Sequence, residues 1–414
     1  MTLSPNALAF STSVGLPSAA QTVTLSNGTG SALPVTGVTS SSAVFNVAGG
    51  TCTTSPTLAA GQSCNVQVTF VPVTVGDASG TLTIATGGTP ASLAVNLSGT
   101  ATASTGPDLV TSVTPATYLQ GSVERGAWDL LMAARSACGF GLVQQDTRLD
   151  TAAASHARYL AQNSIDRNAA ALGPSEDPSW SYFTGATPTA RGGAAGFPTG
   201  QPVVESSHAL GLFYVAGQNP PLALNSNTGI ASMRALLESI YNTANLFTPA
   251  RVGGIAATAP AGPSLSLLSQ QQFRLVVDFS TTGNPQRLGN GNVATWPCEG
   301  VGGFSGALDP ANEVLNPFPD VTGPVNYGTP IYLRTDLGAT LTVQAASLTR
   351  IADASAVPLR SLTRANDANS QLGSHEAFLV PTQPLPRGST YRLNATGTAN
   401  GVAFTKSFTF ATAP

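Results

Sequence analysis

The sequence predicts a multidomain chain: an N-terminal β-sandwich, a central α+β layered domain and a C-terminal β-sandwich. Three observations lead there. At 414 residues the chain exceeds one ordinary hydrophobic core. Period-two alternation of apolar and polar residues fills both ends and yields to a helical period only in the middle. Charged residues are 9% of the chain, against about 25% in typical soluble domains. Ser, Thr, Asn and Gln supply the polarity, with 43 Gly and 30 Pro, a mixture that suits extracellular β-rich modules with many turns.

Residues 1–103 read as short strands such as "QTVTLSN", "CNVQVTFVP", "GTLTIAT" and "LAVNLSGTA". In the second, Val66, Val68 and Phe70 share one face while Gln67 and Thr69 share the other, the signature of a half-buried strand. Gly and Pro clusters punctuate the runs, and strands at this spacing describe a β-sandwich. "TASTGPD" opens a polar linker, taken as 104–117.

Beyond it the period changes. Trp128, Leu131, Met132 and Arg135 fall on one helical face, and Gly139 supplies a stop. "RLDTAAASHARYLAQNS" predicts a second helix with Leu149, Ala153, His156 and Leu160 on one side. A third, "TGIASMRALLESIYNTANLF", turns Ile230, Met233, Leu237 and Ile240 or Tyr241 inward. Strand-like "ARVGGIAAT", "QQFRLVVDFS" and "GNVATWPCEG" follow, so 118–304 is predicted as one α+β domain. From 305 to 414 the chain returns to strands. Phe404, Phe408 and Phe410 alternate with polar residues, and "ANGVAF" holds the Asn-Gly turn of a hairpin.

A net charge of −3 with one lysine, Lys406, leaves no clustered basic face, which excludes nucleic acid as a partner. No apolar run approaches the roughly 20 residues of a membrane span. Met1 leads straight into "TLSPNALAF", and we read the leader of an exported chain as removed. Four cysteines allow three pairings. Joining Cys52 to Cys64 and Cys138 to Cys298 keeps each bridge inside one predicted domain; the bland alternative is four unrelated buried thiols. No Cys or His spacing supports zinc, and an oxidising, secreted, cell-surface or periplasmic setting is expected.

Two stretches carry family resemblances. "SNGTGSALPVTGVTSSSAVFNVAGGTC…LAAGQSCNVQVTFVPVTVGDASGTLTI" resembles the immunoglobulin-like ASPM–SPD-2–Hydin modules of secreted bacterial proteins. The likeness lies in the Asn27-Gly28 turn, the paired cysteines and the "VTFVP" strand. The middle third is similar to bacterial members of the CAP superfamily, the cysteine-rich secretory, antigen 5 and pathogenesis-related 1 proteins. The matching segments are "LLMAARSACGFG", "RLDTAAASHARYLAQNS", "EDPSWSYFTGATPTARGGAAGF", "VVESSHALG", "ALLESIYNTANLFTPARVGGIAA" and "FRLVVDFS". The resemblance implies a three-layer α-β-α sandwich with an open cleft, lined in the family by two histidines and two carboxylates that in some members bind a divalent cation. The C-terminal sandwich is similar to immunoglobulin-like modules that accompany such domains.

Carried over position by position, the family pattern is incomplete. Pro174 takes the first histidine slot and offers no ligand atom. Glu205 keeps the first acid. Asn242 takes the second histidine slot, and Glu238 aligns loosely with the second acid. The chain's three histidines are His156, His208 and His375. His156, on an apolar helix face, reads as a packed core residue. His208 lies three residues after Glu205, and a helix there would place both on one side as a substitute ligand pair. His375 reads as a turn residue. Glu176 and the adjacent Asp177 read as a solvated turn, too close in sequence for opposed glycosidase roles. Pro174 and Pro178 stiffen that turn, while Trp180, Tyr182 and Phe183 offer a cleft rim or core.

The expected function is therefore a secreted, non-enzymatic binding protein with a degenerate cleft around Glu176, Trp180, Tyr182, Glu205, His208, Glu238 and Asn242. Its partner is an apolar small molecule (lipid or sterol) or an extracellular protein, and no metal or cofactor is called for. The alternatives are an extracellular hydrolase using Glu205, His208 and Glu238 on a metal or a water, and a structural spacer or adhesin.

Overall fold

A computed structural model describes residues 1–14, 17–102, 106–166, 173–215, 224–258, 268–310, 313–321 and 326–414. The chain forms two compact units, Met1–Thr105 and Gly106–Pro414. Most regular structure is β-sheet.

In the first unit, β1 (Thr2–Ser4), β3 (Gln21–Ser26), β7 (Ser63–Phe70) and β5 (Phe45–Gly49) make one sheet in the order β1-β3-β7-β5. β2 (Ala7–Ser13), β9 (Ser92–Thr102), β8 (Gly76–Thr86), β4 (Leu33–Ser40) and β6 (Thr57–Leu58) make the other, in the order β2-β9-β8-β4-β6. The alternation predicted for β7 places Val66, Val68 and Phe70 in the core. There Phe45 stacks on Phe70, ring centroids 4.9 Å apart. Cys52, in a short 3-10 turn, is bonded to Cys64 in β7. This β-rich arrangement fits an immunoglobulin-like module.

The second unit begins with a segment expected to be linker. Residues 106–117 are instead tied down, because their polar groups find partners. The Asp108 N–H donates to the Arg287 carbonyl (2.8 Å) and the Asp108 carboxylate pairs with Arg251. Gln144 and Gln145 accept from the Thr114 and Thr117 amides. Helix α1 (Val123–Ala137) starts at a Ser122 cap, and α2 (Thr147–Asp166) carries the predicted face, with Leu149, Ala153, His156 and Leu160 all buried. Helices α3 (Pro188–Ala194), α4 (Ser226–Leu237) and α5 (Tyr241–Leu246) follow.

A sheet of β10 (Gln144–Gln145), β12 (Val252–Thr258), β13 (Leu268–Ser280) and β11 (Val203–Val215), in the order β10-β12-β13-β11, lies between these helices. Strand alternation explains the layers. Ile255, Phe273, Leu275, Val277 and Phe279 turn to the side of α1, α4 and α5. Ala256 and Val276 turn to α2, meeting Ala153, Ala157 and Leu160. Gly254 lets α2 approach: a Cβ there would sit 2.2 Å from the Asp150 nitrogen.

The boundary predicted at 304/305 does not divide the unit. β14 (Ala294–Trp296) and β15 (Gly302–Phe304), read as part of the central domain, pair with β16 (Ile331–Arg334) and with β22 (Val402–Thr412). One sheet runs β14-β16-β20-β19, with β19 at Leu359–Thr363 and β20 at Glu376–Pro381. The other runs β15-β22-β21-β17-β18, with β17 at Leu341–Arg350, β18 at Ala356–Val357 and β21 at Thr390–Ala399. The predicted Asn400-Gly401 turn joins β21 to β22, with both residues at positive φ (51° and 78°). Aromatic rings bridge the two halves: Phe140 packs on Phe247 (4.2 Å), Phe247 on Trp296 (5.3 Å), and Trp296 on Phe304 (5.4 Å). The Cys138–Cys298 disulfide spans the same seam.

Gly254→Val is expected to push α2 off the sheet and destabilise the second unit by about 1–3 kcal/mol or more, as overpacking does. Guanidinium unfolding followed by tryptophan fluorescence checks this; an unchanged midpoint refutes the close approach.

Candidate functional site

His156 is the hub. It sits on the buried face of α2 with no exposed surface. Its Nδ1 lies 2.9 Å from Glu176 Oε1, and its Nε2 lies 3.2 Å from Glu205 Oε1, an ion-pair distance without hydrogen-bond alignment. Glu205 enters from β11, where it is the cross-strand partner of Asp278 in β13. Arg191 enters from α3, which starts at a Thr187 cap with Pro188 in its first turn. Its guanidinium donates to Glu205 Oε2 (2.5 Å) and to the Gly185 carbonyl (3.1 Å), and its Nε is 3.8 Å from Glu176 Oε1.

Glu176 is not the solvated turn residue expected from the sequence. Its side chain is fully buried, because the loop folds back onto α2 and presents the Thr184 and Gly185 amides, which donate to Oε2 at 2.6 and 3.1 Å. Asp177, beside it, stays exposed. Pro174 and Pro178 are exposed in the same loop.

The charges follow from these contacts. Burial alone would push His156 down. The Glu205 charge and the Glu176 and Glu205 contacts outweigh burial and hold the imidazole above its usual range. Burial would raise Glu176, yet the His156 contact, the two amides and Arg191 bring it below the usual carboxylate range. Asp278 is raised well above that range, first by burial and then by the Glu205 charge.

His208 is not part of this cluster. Residues 203–215 are a strand, not a helix, and its period of two sends Glu205 and His208 to opposite faces. Burial, with Arg274 nearby, pushes His208 down to about 4, so it is neutral at physiological pH. Glu238 is also elsewhere: it caps the end of α4 and accepts from the Ser305 amide and hydroxyl (2.7 and 2.5 Å). Asn242 lies in α5, where its carbonyl accepts from Ser206 (3.4 Å). His375 is buried just before β20, 3.9 Å from Glu376.

Trp180, read as rim or core, is partly buried and stacks on Tyr159, which stacks on His156. Tyr182 and Phe183 are exposed. Arg191 and Asp278 were missed by sequence reasoning. For Asp278 a signal existed, an acid inside the apolar strand run "RLVVDFS"; for Arg191 none did. Among the described residues, no group of three or more His, Cys, Asp or Glu is placed to hold a metal ion.

No protein-family model matches the sequence, and no curated protein matches it. Solved structures with some likeness include the PapD-like domain 7 of human CEP192, at TM-score 0.21 and 16% identity over 25% of this chain and 84% of that one. Two Vibrio cholerae proteins also match: the VesB protease (TM-score 0.20, 25% identity, 23% of this chain) and the secreted serine protease VesC (0.19, 10%, 66%). The matches span 29% of VesB and 48% of VesC. Scores this low carry no argument about this chain.

Removing Arg191 strands Glu205 in a dry interior, so Arg191→Met is expected to cost about 3–5 kcal/mol, read by chemical denaturation. A loss under 1 kcal/mol contradicts the pairing. The raised His156 binds its proton more tightly when folded. Its stabilisation is thus full below about pH 6.5 and is lost as pH rises through the folded value. Unfolding free energy should decline from about pH 6.5 upward, and His156→Gln should flatten that decline. Asp278, raised from 3.8, slopes the same way from lower pH and accounts for any remainder.

Proposed function

We propose that this is an extracytoplasmic, non-enzymatic binding protein. In this reading a degenerate CAP-like domain follows an immunoglobulin-like ASPM–SPD-2–Hydin-type module and precedes a second immunoglobulin-like sandwich. One observation carries the proposal: the carboxylates expected to line an open cleft are spent inside the protein. The Glu176 and Glu205 side chains are 0% and 1% exposed and already engage His156 and Arg191. A general acid or base has to reach a substrate proton directly or through one water, and neither carboxylate is placed to do so. The Glu205–His208 hydrolase pair fails on geometry, its members lying on opposite faces of a strand.

Two disulfides support the oxidising setting. Among the described residues no helix is long and apolar enough to cross a membrane, which leaves β-barrels unaddressed.

For the ligand, an apolar cavity of about 210 Å³ between α1, α4 and the 296–304 segment supports a small apolar molecule. Leu130, Ala133, Ala137, Leu237, Trp296 and Phe304 line it, with Arg234 and Glu238 as its polar groups. It is smaller than the roughly 300–1,000 Å³ of sites that enclose a drug-sized ligand. It exceeds the roughly 150 Å³ that takes up benzene in an engineered apolar cavity. Its occupant in this reading is the acyl end or ring of an amphipathic lipid, with the head group outside.

The purified chain is expected to bind the fluorescent fatty acid cis-parinarate with no effect of EDTA. Ala137→Phe should weaken that binding by about tenfold, or about 1.4 kcal/mol. Turnover of ester, peptide or glycan substrates that disappears in Glu205→Gln would overturn the non-enzymatic reading. Parinarate affinity unchanged in Ala137→Phe would move the ligand away from this cavity.

A further inference from the structure

We propose that the loop from Asp177 to Thr184, together with Arg158 of α2, is a docking site for an acidic, apolar-containing segment of a partner protein. This goes beyond the lipid-binding reading and rests on separate residues. The loop is pinned at its base. Glu176 is held by His156 and two backbone amides, Tyr159 Oη accepts from the Asp177 amide (2.9 Å), and Asn163 donates to the Ser181 carbonyl (2.9 Å). Trp180 lies partly buried against Tyr159.

From this fixed base Tyr182 and Phe183 project outward, 41% and 38% exposed. Tyr182 has φ +64°, a left-handed conformation that costs an aromatic residue energy which its own burial does not offset. Rings held outward on a pinned loop need little further ordering when a partner arrives.

The second observation sets the partner's charge. Exposed Arg158 lies over the Tyr182 ring, 4.0 Å from its centroid, and its guanidinium has no ion pair or hydrogen bond among the described residues. The exposed guanidinium over Tyr182 keeps N–H donors that can match a carboxylate through two parallel hydrogen bonds. Tyr and Arg are the side chains on which protein interfaces most often concentrate their affinity, and Tyr, Trp, Ser and Gly dominate adaptable binding loops. "DPSWSYFT" supplies Ser, Trp and Tyr, and Arg158 of α2 adds the guanidinium. Phe183 and Pro178 have no side-chain hydrogen-bonding atoms, which favours an apolar protein anchor over a sugar.

The test selects random dodecapeptides displayed on phage against the full chain. The expected result is a consensus with Asp or Glu beside an aromatic or aliphatic residue. Arg158→Glu and Tyr182→Ser should each weaken the synthetic peptide about tenfold or more, with parinarate binding unchanged. An Asp-to-Lys version of the peptide should recover binding to Arg158→Glu. Tyr182→Gly relieves the backbone strain, so it should raise the thermal midpoint while abolishing peptide binding, a combination that a purely structural loop would not produce. No consensus, or peptides indifferent to Arg158 and Tyr182, would overturn the proposal. So would Arg158-dependent binding of polygalacturonate in place of peptides.

Discussion

Three carboxyl groups, Glu176, Glu205 and Asp278, share the dry space between α2 and the central sheet, and their charge has to be answered there. An unpaired carboxylate in such a place costs several kcal/mol. The chain answers with the Arg191 guanidinium, with His156, whose proton the two glutamates hold more tightly, and by raising the Asp278 carboxyl well above its ordinary range. Each answer comes from a different element. α2 is tied through His156 to the 173–187 loop, α3 is placed by Arg191, and β11 and β13 are held in a register that sets Glu205 against Asp278. A change at any one of them is felt by the rest, since the interacting groups form one connected set.

The same network explains why the site is closed. A guanidinium between two carboxylates fills with chain-borne charge the position where an external cation would otherwise be attracted. In the proposed reading, binding therefore falls to the surface and the cavity. The buried base of the loop holds its tip outward, so internal electrostatics and external presentation are two ends of one device.

On the far side of the sheet, apolar packing takes over. The ring series Phe140, Phe247, Trp296 and Phe304 carries the core from the helical layer into the C-terminal sheets, and Arg135 is buried there with four backbone carbonyl partners. Trp296 donates to the Leu237 carbonyl (2.8 Å), fixing the end of α4 against the seam. The apolar cavity is a product of this joint, because one part of its wall comes from α1 and α4 and the rest from the 296–304 segment.

Local patterns were legible in the sequence. Period two placed Val66, Val68, Phe70 and the closing strand, period 3.6 placed α1 and the buried face of α2, and Asn-Gly announced the last hairpin. These depend on neighbours a few residues away, so the chain alone specifies them. The pairing of Glu205 with His208 depended on "VVESSHALG" being helical, and a strand there is chosen by its long pairing with β13, more than sixty residues downstream. Glu176 looked solvated because nothing local reveals that a loop will fold over it. Arg191 and Asp278 were invisible as partners for the same reason. Sequence by itself determined the segments with a clear local period and which of their faces are apolar. Only the tertiary structure decided which charges meet, because pairing across a dry interior is set by distances in space that sequence separation does not encode.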